Sequence, residues 1–379
     1  MMHIRICCSI IAAFMLTLTS SIALAQAFPN KPVRIIVAFA PGGPVDVVAR
    51  LVAIKMQDTL GQTVIVENRP STTGNIGSAF VAKAPADGYT PLANSSSIAV
   101  NVTLTPNSGY DAEKELTPLV QIATQPNLIV VHPGVNAKNI AELIALAKTG
   151  KLSYASPGNG TTPHLTAENL FRTLAKVNVT HVPYKGAGPA AAAVVAGEPE
   201  IGSLAVTAPI PFVRGGRLKA LAISSARRHP ALPDVPTLVE SGYPTIQDYT
   251  WVGLFATTGT PADAMQKLNE SVNRALQQAD VRERLESLLF EPIGGSSQQF
   301  ADYVKIEIVK WGKVVRDTGA KVDGAAASSS AASTSIWLRR SIDFRVPAKL
   351  CLGTTCTGFQ AAKAPIKPSP QRDSVRRPG

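Results

Sequence analysis

The central part of the chain contains no cysteine. The four cysteines lie near the ends, Cys7 and Cys8 at one and Cys351 and Cys356 at the other. A disulfide framework or a thiolate metal site between residues 26 and 323 is therefore excluded. Histidine is almost as scarce. His3, His132, His164, His181 and His229 show no metal-ligand spacing, and no nucleophile–base pair can be argued from any of them. Charged residues make up only 17% of the chain, and the formal charge of +11 is unevenly placed. Residues 324–379 carry nine Lys/Arg against two Asp/Glu, or +7, and Arg5 adds +1, which leaves +3 on residues 26–323. So small a charge gives the body no electrostatic footprint for nucleic acid, and no nucleic-acid partner is expected. Nucleotide motifs are missing too: no G-x-G-x-x-G between strand and helix, no G-x-x-x-x-G-K-[ST] and no G-x-S-x-G. No cofactor is expected.

What is present begins with an export signal. Arg5 supplies a positive start, an apolar stretch runs from Ile10 to Leu18, and Ala23-Leu24-Ala25 follows as an A-x-A cleavage site. The apolar run is shorter than the roughly 20 residues that a membrane span needs. Cleavage near Ala25 and a periplasmic location are expected. Cys7 and Cys8 precede the apolar run and so cannot carry the lipid of a lipoprotein.

A length of 379 residues with 45% hydrophobic content suits two domains with buried cores. Val33–Phe39 is a near-continuous apolar run, as in a parallel strand buried on both faces. Ala40-Pro41-Gly42-Gly43 breaks it. Val47, Val48, Leu51, Val52 and Leu60 then form one helical stripe stopped by Gly61. Val64–Val66 completes a βαβ unit. The alternation continues with strands at 127–131, 152–155, 177–182 and 218–223. Helices are expected at 140–148, 163–175, 187–195, 262–276, 281–289 and 298–315, and the whole reads as layered α/β. After Asp323 a Gly/Ala/Ser linker opens a basic, Pro-rich segment, 324–379. It is expected to be disordered and foreign to the body, the product of read-through or a frameshift.

Three Gly-rich turns stand between strands and helices, where α/β sheets bind ligands. The first contains Pro41, Gly42 and Gly43. Pro44 fits helix position N1 and Asp46 fits N3, so backbone N–H groups at that helix start could hold an anion. The second holds Ser156, Gly158, Asn159, Gly160, Thr161, Thr162 and His164, with Thr162 as the expected N-cap before Pro163. The third holds Tyr184, Lys185 and Gly186, whose glycines would permit close approach to a ligand. A fourth polar cluster, Asn94, Ser95, Ser96 and Ser97, offers an amide and hydroxyls to carboxylate oxygens.

Several stretches resemble the Bug solute receptors, the binding components of tripartite tricarboxylate transporters. They include Lys31–Gly43, Val66-Glu67-Asn68-Arg69-Pro70, Gly74-Asn75-Ile76-Gly77 and Ala84–Thr90. Gly158-Asn159-Gly160, Pro183–Gly186, Leu232–Thr237 and Gly319–Asp323 match as well, in the family's order over about 28–323. The resemblance implies an α/β, two-lobed periplasmic binding protein of type II (Venus-flytrap) with its ligand cleft between the lobes. One lobe would comprise 28–127 plus 250–323 and the other 128–249. It also implies a monomer that captures a small carboxylate and delivers it to inner-membrane transporter subunits, without catalysis. Pro44 and Val45 stand where the family usually has Ser or Thr, Ser71-Thr72-Thr73 replaces Gly-Ala-Gly, and Leu204 lies near the position of a common Asp. The first removes two possible ligand hydroxyls, and the last, since Leu204 cannot meet an amino group, disfavours an amino-acid ligand. Competing expectations are a periplasmic α/β enzyme acting on a small carboxylate, a ligand sensor feeding a membrane signalling protein, and a polyanion binder acting through the basic tail.

Overall fold

A run of β-branched residues with no polar interruption favours a strand covered on both faces. In the computed structural model Val33–Val37 forms that strand, β1, and every side chain but that of Arg34 is buried. The structure describes residues 28–322. The leader with its Ala25 cleavage site and the tail from 324 lie outside the described residues.

Helix α1 (Pro44–Leu60) follows β1, with Gly43 as N-cap, Pro44 at its first position and Gly61 ending it at φ 63°. Strand β2 (Val64–Asn68) returns parallel to β1. Helix α2 (Asn75–Ala82) leads to β3 (Leu92–Ser95), also parallel to β1, and α3 (Ser97–Leu104) follows directly. After the single turn α4 (Ala112–Glu115) comes the longest strand, β4 (Leu116–Val131). Its first two thirds pair antiparallel with β9 (Tyr249–Thr257). Its last five residues pair antiparallel with β7 (Ile201–Ala205) and mostly also with β8 (Lys219–Ile223).

The second half repeats the scheme. Helix α5 (Ile140–Thr149), β5 (Ser153–Ser156), α6 (Thr162–Glu168), β6 (Thr180–Pro183), α7 (Ala187–Ala196), β7, α8 (Ile210–Arg214) and β8 alternate, with β5 parallel to β6 and β7. The chain then returns along β9 to α9 (Ala262–Gln277), α10 (Ala279–Ser287), the short β10 (Glu291–Pro292) and α11 (Ser297–Thr318). The strand order is β2-β1-β3-β9-β4-β7-β5-β6, with β8 and β10 also pairing β4.

Three apolar clusters divide along this order. The first gathers Ile35, Val48, Leu92, Trp251, Phe255 and Trp311 from both ends of the described chain. The other two lie on either side of β5 and β7, around Tyr154, Phe171 and Ile201 and around Leu128, Val194 and Leu204. Strand β4 runs continuously from one half of the sheet into the other, and β9 begins beside it where Tyr249 pairs with Pro126.

The structure corrects several expected elements. The strand expected at 127–131 is the end of a 16-residue one. The helix expected at 163–175 begins at Thr162 and changes at Asn169 into a π-helical turn, Asn169–Leu174. The strand expected from Val177 begins at Thr180, since Val177 and Val179 bury as an irregular connection. Strands β7 and β9 and helix α3 were not expected. Among the described residues no helix is long and apolar enough to cross a membrane.

Candidate functional site

The ends of β1, β3 and β5 and the starts of α1, α6 and α7 converge on one small cavity. It is lined by Phe39, Gly43, Pro44, Val45, Ser95, Pro157, Thr161, Thr162, Pro163, Ala187, Ala205 and Thr250. Its volume is about 20 Å³, room for about one water molecule. Of the residues singled out from the sequence, Gly43, Ser95, Thr161 and Thr162 line it. The others are not among the lining residues.

The glycines of the second and third turns face the opposite half of the protein. A Cβ on Gly158, at φ +143°, would stand 1.7 Å from the Thr72 carbonyl oxygen. One on Gly160 would stand 2.2 Å from Asn101 Oδ1, and one on Gly188 would stand 2.9 Å from the Pro41 oxygen. The Ala40 N–H donates across the cleft to the Lys185 carbonyl at 2.9 Å. Here the absent side chains let backbone meet backbone, and the two halves are closed upon each other. Lys185 itself is exposed and Tyr184 half-buried.

The first turn has an internal acceptor. Asp46, 5% exposed, takes the Gly42 N–H at 3.0 Å, the Asn68 amide at 2.9 Å and the Arg50 guanidinium at 2.9 Å. One amide of the expected anion site is therefore occupied by a carboxylate of the protein. The N–H groups of Gly43, Val45, Thr162 and Ala187, all from cavity-lining residues, have no acceptor among the described residues. Such amides at helix starts carry partial positive charge and remain open to an external acceptor.

The second turn is held by neutral groups. Thr161, rather than Thr162, is the N-cap and accepts from the His164 N–H. His164 Nδ1 accepts the Gly160 N–H at 3.2 Å, and Ser156 Oγ accepts the Gly158 N–H at 3.1 Å. His164 stacks on His181 with ring centroids 4.1 Å apart, and His181 stacks in turn on Tyr154. Burial pushes His164 down to about 3, helped by the nearby Arg172 charge. Burial, then His164 and Arg172, push His181 down to about 2. Both rings are neutral at pH 7. No nucleophile–base pair could be argued for any histidine from the sequence, and the fold brings His181 Nε2 to 2.7 Å from Ser156 Oγ. Strands β5 and β6 pair in parallel with Tyr154 opposite His181 and Ser156 opposite Pro183, and the His181 ring reaches Ser156 from two positions back along the partner strand. An imidazole held so far below neutrality is a weak base, and Ser156 is fully buried.

A line of hydroxyls crosses between the two halves where β4 and β9 run side by side. Thr250 Oγ1 donates to Asn127 Oδ1 at 2.7 Å. Its single proton is thereby used, so Thr162 Oγ1 must donate to Thr250 at 2.6 Å, and Ser96 Oγ to Thr162 at 3.1 Å. Thr166 and Asp248 extend the cluster: Thr166 Oγ1 donates to Asp248 Oδ2 at 3.0 Å, and burial pushes the Asp248 carboxyl up to about 6. Asn94 lies behind, donating to Ser78 Oγ and accepting from the Ser95 N–H and the Ser97 hydroxyl. Asn127, His181 and Thr250 escaped the sequence reading. For Thr250 a signal existed in the β-branched and aromatic run Tyr249–Phe255. For Asn127 and His181 none did, since only the fold brings them to the site. Among the described residues no group of His, Cys, Asp or Glu could hold a metal ion.

A family model, "Tripartite tricarboxylate transporter family receptor", matches residues 48–320. The chain belongs to that family. Protein BugT of Bordetella pertussis is 36% identical over 302 residues, covering 79% of this chain and 92% of BugT. Among solved structures, R. palustris Rpa4515 with adipate is 33% identical at a TM-score of 0.74, covering 78% of this chain and 99% of that one. MatC from Rhodopseudomonas palustris with bound malate is 35% identical at a TM-score of 0.72, covering 76% and 100%. The resemblance to Bug receptors and the fold class expected from it are borne out, and the protein is a solute-binding receptor of periplasmic-binding-protein type.

Proposed function

We propose that this receptor works in the periplasm, captures a small carboxylate in the cleft that holds the 20 Å³ cavity, and passes it to membrane subunits of a tripartite transporter. The carrying observation is the set of four unclaimed amides, on Gly43, Val45, Thr162 and Ala187, around one buried cavity between two separately cored halves. Backbone N–H groups at helix starts suit a carboxylate without any cationic side chain. The adipate and malate held by the relatives support the ligand class. The halves correspond to lobes of 28–127 plus 250–323 and of 128–249, hinged where β4 and β9 run together, with export completed by cleavage near Ala25. Binding proceeds without catalysis. The Ser156–His181 pair supports this reading, being buried, away from the cavity lining and served by a ring that resists protonation.

Thermal unfolding of the full chain against a panel of carboxylic acids tests the proposal. A ligand at 100 times its dissociation constant adds about 2.7 kcal/mol of stability. A rise in midpoint with at least one acid is expected, and no rise with any acid would refute the ligand class.

A further inference from the structure

The cavity that closes between the two halves is uncharged. No lysine, arginine or histidine lines it among the described residues. Its walls are largely apolar, with Phe39, Val45, Ala187 and Ala205 joined by three prolines, Pro44, Pro157 and Pro163. Each proline also removes a backbone donor from a helix start or turn that would otherwise supply one. The hydroxyls present are engaged within the protein. Thr161 donates to the Gly158 carbonyl at 2.8 Å, Ser95 to Ser97 at 3.1 Å, and Thr162 and Thr250 belong to the line ending on Asn127. A negative charge already stands beside the first turn, where the buried Asp46 carboxylate holds the Gly42 amide.

Such a site can satisfy one carboxylate with its open amides. A second carboxylate, or a hydroxyl on the ligand body, would lose its water against proline and valine and find no partner. Resting on the carboxylate-receptor reading, we propose that the ligand is a monocarboxylate with an apolar body. Pro44 and Val45 set this choice at the mouth of α1, against hydroxy acids and against di- and tricarboxylates. Val45 is 2% exposed and lies on the cavity wall, so its side chain meets the body of any bound acid.

Titration calorimetry of the full chain tests the selectivity, with propanoate, butanoate and benzoate set against malate and citrate. At least a tenfold tighter binding of one or more of the monocarboxylates is expected. Val45→Thr keeps the shape of the side chain and adds one hydroxyl. It should bring malate at least threefold closer to the preferred monocarboxylate while leaving the thermal midpoint near that of the parent. Malate or citrate binding as tightly as the monocarboxylates would overturn the selectivity and leave the receptor reading standing. Selectivity unchanged in a folded Val45→Thr protein would remove Val45 from the determinants. Binding of no acid at all would overturn the receptor reading, and this inference with it.

Discussion

The first and second Gly-rich turns do the same job by different means. Each carries a chain from a buried parallel strand into a helix, each places a proline at the helix start, and each brings a glycine to positive φ. The first secures its loop amide with a carboxylate, Asp46, whose charge is shared with Arg50, a residue open to solvent on one side. The second secures its amides with a neutral hydroxyl and a neutral imidazole, sealed under a stack of rings. The glycines differ in the same sense. Gly42 has nothing within 4 Å of its absent Cβ, whereas Gly158 sits against the Thr72 backbone. One turn is anchored locally and exposed, and the other is a closing surface. The glycine of the dry turn therefore carries the tightest backbone approach between the halves, and its buried imidazole carries the acid sensitivity.

The largest break in this comparison is expected from Gly158→Ala. The added methyl group collides with backbone rather than with a movable side chain, so the halves cannot close fully. Ligand affinity measured by calorimetry should fall roughly 100-fold, equivalent to about 2.8 kcal/mol. Gly42→Ala, with open space around it, should cost only the left-handed backbone strain, about 1–2 kcal/mol in chemical unfolding, with affinity within about threefold of the parent.

Acid should act on the dry turn. Unfolded histidine titrates near 6.5, while native His164 stays neutral down to about 3. Below about pH 6.5 the unfolded state binds the extra proton, so stability falls as pH drops toward 3, by up to about 1.4 kcal/mol per pH unit for each such ring. His164→Gln should flatten that limb in urea titrations run between pH 6 and 4. Asp248 works in the opposite direction. Its native carboxyl, pushed up to about 6 by burial and by Glu307 against the pull of Lys310 and Thr166, keeps a proton that the unfolded chain releases near 4. Stability from this group rises as pH falls from 6 to 4, on the order of 2–3 kcal/mol. Asp248→Asn should remove that rise and steepen the net acid loss.

A smaller effect is expected from Asp46→Asn. The side chain keeps one acceptor but loses its charge, which weakens the hold on Arg50 and on the Gly42 amide by about 1–2 kcal/mol. The change should appear in unfolding midpoints at pH 7, where His164 is neutral in either state.

Periodicity made β1, α1, the Gly61 stop and the final helix legible, because each buries one continuous face or stripe. Strand β9 went unread although Tyr249–Phe255 is rich in strand formers and Asp248 stands directly before it. The length of β4 was hidden by Pro118 and Pro126, which break the usual pattern yet fall at a register shift and at the passage between the halves. At the site, the glycines and hydroxyls near helix starts could be picked out by type, but their facing could not. The glycines turned out to meet the other half, and the apolar lining from Phe39, Val45 and Ala205 carries no local signature distinct from ordinary core.

Hydrogen exchange at two backbone amides tests two-lobed closure on a ligand most directly. Ala40 donates across the cleft to Lys185, and Gly42 donates within its own turn to Asp46. With a saturating carboxylate, Ala40 exchange should slow at least tenfold while Gly42 exchange stays nearly constant. Tight binding of the acid that leaves Ala40 exchange unchanged would contradict closure of the two lobes on the ligand.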